Sequence, residues 1–369
     1  MKRILIPALA AVIAVILAAC SSSPALTDCN VIHEDNFGGV YIENTIDEFN
    51  ALGFEYGDSV DITFSNGYEM KDIPYYNGYY TDIGDPLLVA YPGYDYIRAG
   101  INNGDDLWVL AGLKDGDTVD ISLRERGKYL DIQEARDIHY EDDRDLYDSD
   151  EIFANFRNIQ VGDIREDVLY RSASPCDNQH NRASYVDKML EKNGIRYVVN
   201  LAESDDEIRD DISGSDFNSP YFLSLYQSGK VIPLYMKANY NDEDFRNKLV
   251  KGLKAIAANE GPYDIHCAEG KDRTGFVCMV AEALCGASYE EITDDYMETY
   301  YNYYGITKDD DKYDIIVKHV LDPMIYIVTG DESVNLKTAD LASYAEKFLK
   351  DAGMNDKDIE DVRDRLTVN

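Results

Sequence analysis

Cys267 and Arg273 stand with five residues between them in the run His266-Cys-Ala-Glu-Gly-Lys-Asp-Arg-Thr-Gly275. A cysteine thiolate is a strong nucleophile, and its charged form is favoured by a helix N-terminus or a fixed cation. Arginine is a planar, permanently charged fork that holds two oxygens of a phosphate at once. One nucleophile and one clamp at this distance suit phosphoryl transfer through a covalent cysteinyl-phosphate.

Such a pair needs a scaffold. Tyr263-Asp264-Ile265 is a short extended lead-in and residues 276–284 form an apolar helical run leading out. Strand, glycine-containing loop and helix together make an anion cradle, because loop N–H groups and the helix N-terminus converge on one point. Ala268, Glu269, Gly270 and Lys271 would line that cradle as substrate-binding residues. A Walker loop is excluded, since Gly270-Lys271 is followed by Asp272 and no glycine stands five positions before Gly270.

The ten-residue run resembles the signature of protein tyrosine phosphatases. It is most similar to the bacterial branch that acts on phosphotyrosine, phosphoserine or phosphothreonine, and phosphoinositides. The resemblance implies an α/β fold with a central sheet flanked by helices and cysteine-based chemistry without a cofactor. It also implies a phosphorylated protein, phosphoinositide or inositol phosphate as substrate. Lys271, a second cation in the loop, suits substrates with more than one phosphate and also recurs in phosphatases of proteins. His266 would tune the thiolate, and Thr274 would hydrogen-bond it as it departs. Tyr170-Arg171-Ser-Ala-Ser-Pro175 matches an element upstream of the loop in the same phosphatases, which implies that Arg171 holds the loop or the substrate.

A general acid must protonate the leaving oxygen. Related enzymes carry an Asp on a loop well before the cysteine, but here that position reads Leu234-Tyr-Met-Lys-Ala-Asn-Tyr240. Asp272 is the family-typical alternative and is taken as the acid. Asp205 and Asp206 are outside candidates, and Asp242, Glu243 and Asp244 read as the start of a helix. A second reading keeps the chain as a surface lipoprotein binding module with an inactive phosphatase-like domain. Intact Cys267, Arg273 and Thr274 favour the enzyme.

The formal charge of −36 comes from 35 basic and 71 acidic residues, and it excludes nucleic-acid binding by a broad basic surface. A short basic start, Met1-Lys2-Arg3, an apolar run over 4–19 and then Cys20-Ser-Ser-Ser read as a secretory signal over 1–19. Leu17-Ala-Ala-Cys20 resembles a bacterial lipobox, which implies lipid on Cys20 and anchoring to the outer face of a bacterial membrane. Of six cysteines none forms a Cys-x2-Cys pair, so no zinc site is expected. Cys278 and Cys285 read as core thiols on the helix after the loop, and Cys176 is the candidate for a protective disulfide with Cys267.

Residues 29–135 change style. Short alternating runs at 60–64, 107–110 and 119–123, punctuated by Asn66-Gly67, Asn77-Gly78, Pro92-Gly93 and Asn103-Gly104, argue for an all-β barrel or sandwich. Asn36-Phe-Gly-Gly39, Tyr56-Gly-Asp58 and residues 94–103 resemble the C-terminal β-barrel of S-adenosylmethionine hydrolases. Tyr75, Tyr76, Tyr79, Tyr80, Tyr91, Tyr94 and Tyr96 are read either as strand packing or as a ligand-stacking surface. Residues 136–150 are acidic and hydrophilic, an expected linker.

From 151 to 369 the pattern is α/β. Helices are expected over 182–192 and 242–258, with strands at 195–201 and 231–235, so that the sheet presents Cys267 at its carboxyl edge. Ser288-x-x-Glu291 is a capping box for a helix over 289–304, and further helices are expected over 313–328, 338–352 and 356–366.

Overall fold

The computed structural model describes residues 23–34, 38–82, 84–102 and 104–368. The signal-peptide and Cys20 expectations, and Asn36-Phe37 of the barrel resemblance, lie outside these residues. The chain divides into two compact units between Lys128 and Tyr129.

In the first unit, period-two burial such as Val60, Ile62 and Phe64 turns alternate side chains inward. Its strands are β1 (Ala25–Glu34), β2 (Gly39–Thr45), β3 (Ser59–Phe64), β4 (Glu69–Tyr76), β5 (Pro86–Val89), β6 (Tyr96–Ile101) and β7 (Thr118–Glu125). They close as a barrel in the order β1-β2-β6-β5-β4-β3-β7, with β7 returning to β1, which leaves no open edge. Two helices accompany them, α1 (Ile46–Ala51) and α2 (Leu107–Leu110). The second corrects the strand expected at 107–110. Asp106 accepts hydrogen bonds from the N–H groups of Trp108 and Val109, and this cap fixes one helical turn. Tyr75 and Tyr76 belong to the interior, whereas Tyr91 and Tyr96 are exposed.

The second unit begins with α3 (Leu130–Arg136), α4 (Asp150–Phe153), β8 (Arg157–Asn158) and β9 (Leu169–Ser172). It continues through α5 (Ala183–Lys192), β10 (Tyr197–Asn200), α6 (Asp205–Ser213), α7 (Pro220–Gln227), β11 (Val231–Pro233) and α8 (Glu243–Ala258). Then come β12 (Tyr263–His266), α9 (Asp272–Leu284), α10 (Tyr289–Tyr304), α11 (Asp311–Ile316), α12 (Asp322–Thr329), α13 (Leu341–Asp351) and α14 (Asp356–Thr367). The sheet order is β11-β10-β12-β9-β8, parallel except for the edge strand β8.

Alternate residues of these strands feed two cores. Leu169, Val199 and Ile265 face one, with α8 and α9, while Tyr170 and Val198 face the other, with α5 and α7. Helix α9 is buried on every side from Thr274 to Leu284, so it is the central helix of the unit and starts at the carboxyl end of β12. Cys267 lies in the first core and Cys176 in the second, with the sheet between the two cores, and both are free thiols. The suspected disulfide between them is therefore absent from this fold.

Candidate active site

Gly270 allows the loop between β12 and α9 to turn. Its φ is +69°, and a Cβ there would meet the carbonyl oxygen of Ser172 at 2.2 Å, so no other residue fits this backbone. The loop's carbonyl groups point away from the cradle and are tied from outside. Ser174 N–H donates to Ala268 O at 3.0 Å. Tyr303 Oη donates to Glu269 O at 2.6 Å, and Asn155 Nδ2 reaches Glu269 O and Gly270 O at 3.3 and 3.2 Å. Arg171 Nη2 donates to Gly270 O at 2.9 Å, and Gly275 N–H to Lys271 O at 2.8 Å.

Among the described residues, no hydrogen bond takes its donor from the main-chain N–H groups of 268–273. With the carbonyls held outside, these N–H groups are left for an anion. Cys267, 3% exposed, sits at the base of the loop. Arg273 Nη1 donates to the carbonyl oxygen of Met236 at 3.1 Å, which holds the guanidinium from the segment before α8. The fully buried Thr274 hydroxyl has no partner among the described residues.

His266 is fully buried, and burial first, then the charge of Arg273, pushes its imidazole down to about 3. The neutral ring donates Nδ1–H to the carbonyl oxygen of Cys267 at 3.3 Å. It orients the cysteine's peptide and carries no positive charge to lend to the thiol. Lys271 is engaged as well, with Nζ 3.3 Å from Tyr304 Oη, 3.4 Å from Glu269 and 3.8 Å from Asp272.

Arg171 is 1% exposed, so of its two expected roles the loop-holding one fits. Burial would lower its pKa, but Asp295 at 2.6 Å outweighs this and keeps the guanidinium charged. Asp295 also pairs with Arg157 at 2.9 Å. Burial raises Asp295, yet the two arginines hold it below the usual carboxylate range, while burial drives its neighbour Glu282 well upward.

The outside candidates for the acid have structural partners. Asp205 accepts from Tyr226 Oη at 2.6 Å and pairs with Arg209, which Asp206 also meets at 3.0 Å. Asp242 caps α8, and Asp244 pairs with Lys248 at 2.7 Å. Asp272 occupies the first turn of α9, inside the loop, with its buried Oδ1 unpartnered among the described residues.

Three features of the site escape motif reading. Asn155 holds the loop from a φ of +48°, a conformation that asparagine tolerates, but an isolated asparagine gives no motif. Arg182, 2% exposed, stacks on Tyr140 and Tyr303 and so braces the wall beside Glu269. Glu203 lies buried after β10, where burial pushes its carboxyl up to about 7 and it accepts the Cys176 thiol at 3.8 Å. Among the described residues no three His, Cys, Asp or Glu side chains converge as metal ligands would.

The tyrosine phosphatase family matches residues 151–368. The chain belongs to this family. Membership makes the second unit a phosphatase domain, and the match begins beyond the barrel. No curated protein matches the chain. Among solved structures, an uncharacterized conserved protein from Thermotoga maritima is similar, at 23% identity over 26% of this chain, with a TM-score of 0.23. The chain spans 35% of that protein's length. No helix of the described residues is long and apolar enough to cross a membrane.

Proposed function

We propose that this phosphatase hydrolyses phosphate monoesters through a phosphocysteine at Cys267. The reading rests on one observation: the loop N–H groups of 268–273 are undonated around a cysteine and an arginine, while the loop carbonyls are tied elsewhere.

In the first step the Cys267 thiolate attacks phosphorus and the bond to the leaving oxygen breaks. Asp272 gives its proton to that oxygen, while Arg273 and the loop N–H groups hold the three equatorial oxygens. In the second step water attacks phosphorus, the S–P bond breaks and Asp272 takes back a proton. Thr274 donates its hydroxyl to the thiolate as it is released. Arg171, Asn155 and His266 position the loop without touching substrate.

The test is hydrolysis of p-nitrophenyl phosphate by the full chain. Turnover that disappears in Cys267→Ser and is blocked by vanadate supports the reading, and turnover that survives the substitution overturns it. We further propose that lipid on Cys20 anchors the protein to the outer face of a bacterial membrane. The mass of the N-terminal peptide checks this.

A further inference from the structure

The end of α3 and the stretch that follows it, expected as linker from 136 onward, pack beside the loop. Ala135 is 1% exposed in the core that also contains Phe276, Tyr296 and Tyr300, and Ile138 packs on the same core. Tyr140 stacks on Tyr303, ring centres 4.9 Å apart, and Tyr303 with Asn155 holds the Glu269 carbonyl. Residues 135–140 are thus pinned at both ends beside the loop.

Arg136 lies between these pins. It is an exposed residue whose guanidinium is crowded by protein, and among the described residues it makes no hydrogen bond or ion pair. The Asp272 carboxylate and the phenols of Tyr240, Tyr296 and Tyr300 are within its electrostatic reach. Ring geometry agrees with that placement. Tyr240 stacks on Phe276 with centres 4.5 Å apart and planes 2° apart, and Phe276 is one helical turn after Asp272 on the same face of α9. Tyr240 therefore lies beside the loop acid and within electrostatic reach of Arg136. Lys271 and Arg273, by contrast, are engaged by Tyr304, Glu269 and Met236. In a chain with 71 acidic and 35 basic residues, an arginine that no carboxylate meets at hydrogen-bond or ion-pair distance is positioned for a charge brought from outside.

We propose that Arg136 is a second anion-binding position at the mouth of the cradle, serving tyrosine-phosphorylated protein segments that carry an acidic side chain next to the phosphotyrosine. The aromatic rings of Tyr140, Tyr240, Tyr303 and Tyr304 around the loop favour a planar phenyl ester over a puckered, hydroxylated ring. The proposal rests on the phosphatase reading of Cys267.

The full chain and its Arg136→Ala and Arg136→Lys variants would be assayed on four substrates. These are a phosphotyrosine peptide flanked by Glu, the same peptide flanked by Gln, p-nitrophenyl phosphate and a short-chain phosphoinositide. Loss of one charge-assisted contact predicts a fall of about tenfold in kcat/KM for the Glu peptide in Arg136→Ala. The Gln peptide and p-nitrophenyl phosphate should fall far less, and Arg136→Lys should recover most of the loss. An equal loss on all substrates, or none on the Glu peptide, overturns the proposal. A selective loss on the phosphoinositide overturns the choice of a protein substrate. If the unaltered chain fails to hydrolyse p-nitrophenyl phosphate, the reading of Cys267 falls and this one with it.

Discussion

Arg171 on β9 and Gly270 in the loop are joined by a buried hydrogen bond of 2.9 Å from the guanidinium to the carbonyl oxygen, although they stand 99 positions apart in the chain. The loop's shape is thereby tied to the charge network of Asp295, Arg157 and Glu282 beneath it.

Replacing Arg171 by Met is expected to cost about 3 kcal/mol of stability, because one partner of a buried ion pair is removed. Arg171→Lys keeps the charge and lacks the fork that reaches both Asp295 and Gly270. It should recover urea stability more than kcat. Equal recovery of both would remove the link between network and loop.

Gly270→Ala tests the loop itself. The new methyl meets the Ser172 carbonyl, and a shift of the loop by an ångström lowers kcat/KM by about a hundredfold. A crystal structure of the variant with an unmoved loop and full activity would contradict this.

Asp272→Asn should slow turnover of alkyl phosphates by at least about a hundredfold and of p-nitrophenyl phosphate far less, because p-nitrophenolate leaves without a proton. Asp205→Asn and Asp242→Asn should leave both rates alone, since those carboxylates serve Tyr226, Arg209 and the α8 cap.

Two neighbouring groups on β12 give stability opposite pH dependences. Burial pushes Asp264 up to about 8, against a small opposing hydrogen bond from Ser172. The folded state then holds a proton that the unfolded state has released, so this contribution is complete below the ordinary 3.8 and is lost as pH rises through 8. His266, held near 3, works the other way, and its contribution is lost as pH falls below the ordinary 6.5. Between the unfolded and folded pKa of Asp264, each step of one pH removes about 1.4 kcal/mol. Asp264→Asn should therefore flatten the fall in urea midpoint on the way from mildly acidic to mildly alkaline buffer. An unchanged slope would show that Asp264 is ionised in the fold.

Salt should matter in an unusual direction. A net charge of −36 repels a phosphate dianion at long range, while the cradle attracts it locally. Raising ionic strength to about 0.15 M shortens the reach of the repulsion to about 8 Å, so kcat/KM for small dianions should rise. A steep fall on a salt series would contradict this.

Much of the phosphatase unit is legible in the sequence because its signals are local. The Ser288 and Glu291 capping box marks α10, which runs over Tyr289–Tyr304 as expected. Strand, loop and helix around Cys267 likewise declare themselves by residue type. What escapes is set by distant contacts. Within the single helix expected over 313–328, a π-turn at Val317–Leu321 separates α11 from α12. Helices α6 and α7 are not among the expected elements, and Ile208 is the one buried residue of α6, too little for an apolar stripe to show. The acidic stretch at 136–150 looks solvated on composition alone. Its Tyr140 nevertheless packs on Tyr303, and its Asp142 meets the buried Arg182 at 2.6 Å. The same holds for Asn155 and Arg171, whose loop partners are 115 and 99 positions away.

The outward tethering of the loop's carbonyls also bears on how the enzyme would be held in check. A cradle already in shape at rest needs no ordering to accept a free oxyanion, so inorganic phosphate, the end product, would meet a ready-made seat. Turnover in a phosphate-rich setting would then be throttled by its own product, and the enzyme's output would follow the local supply of phosphate.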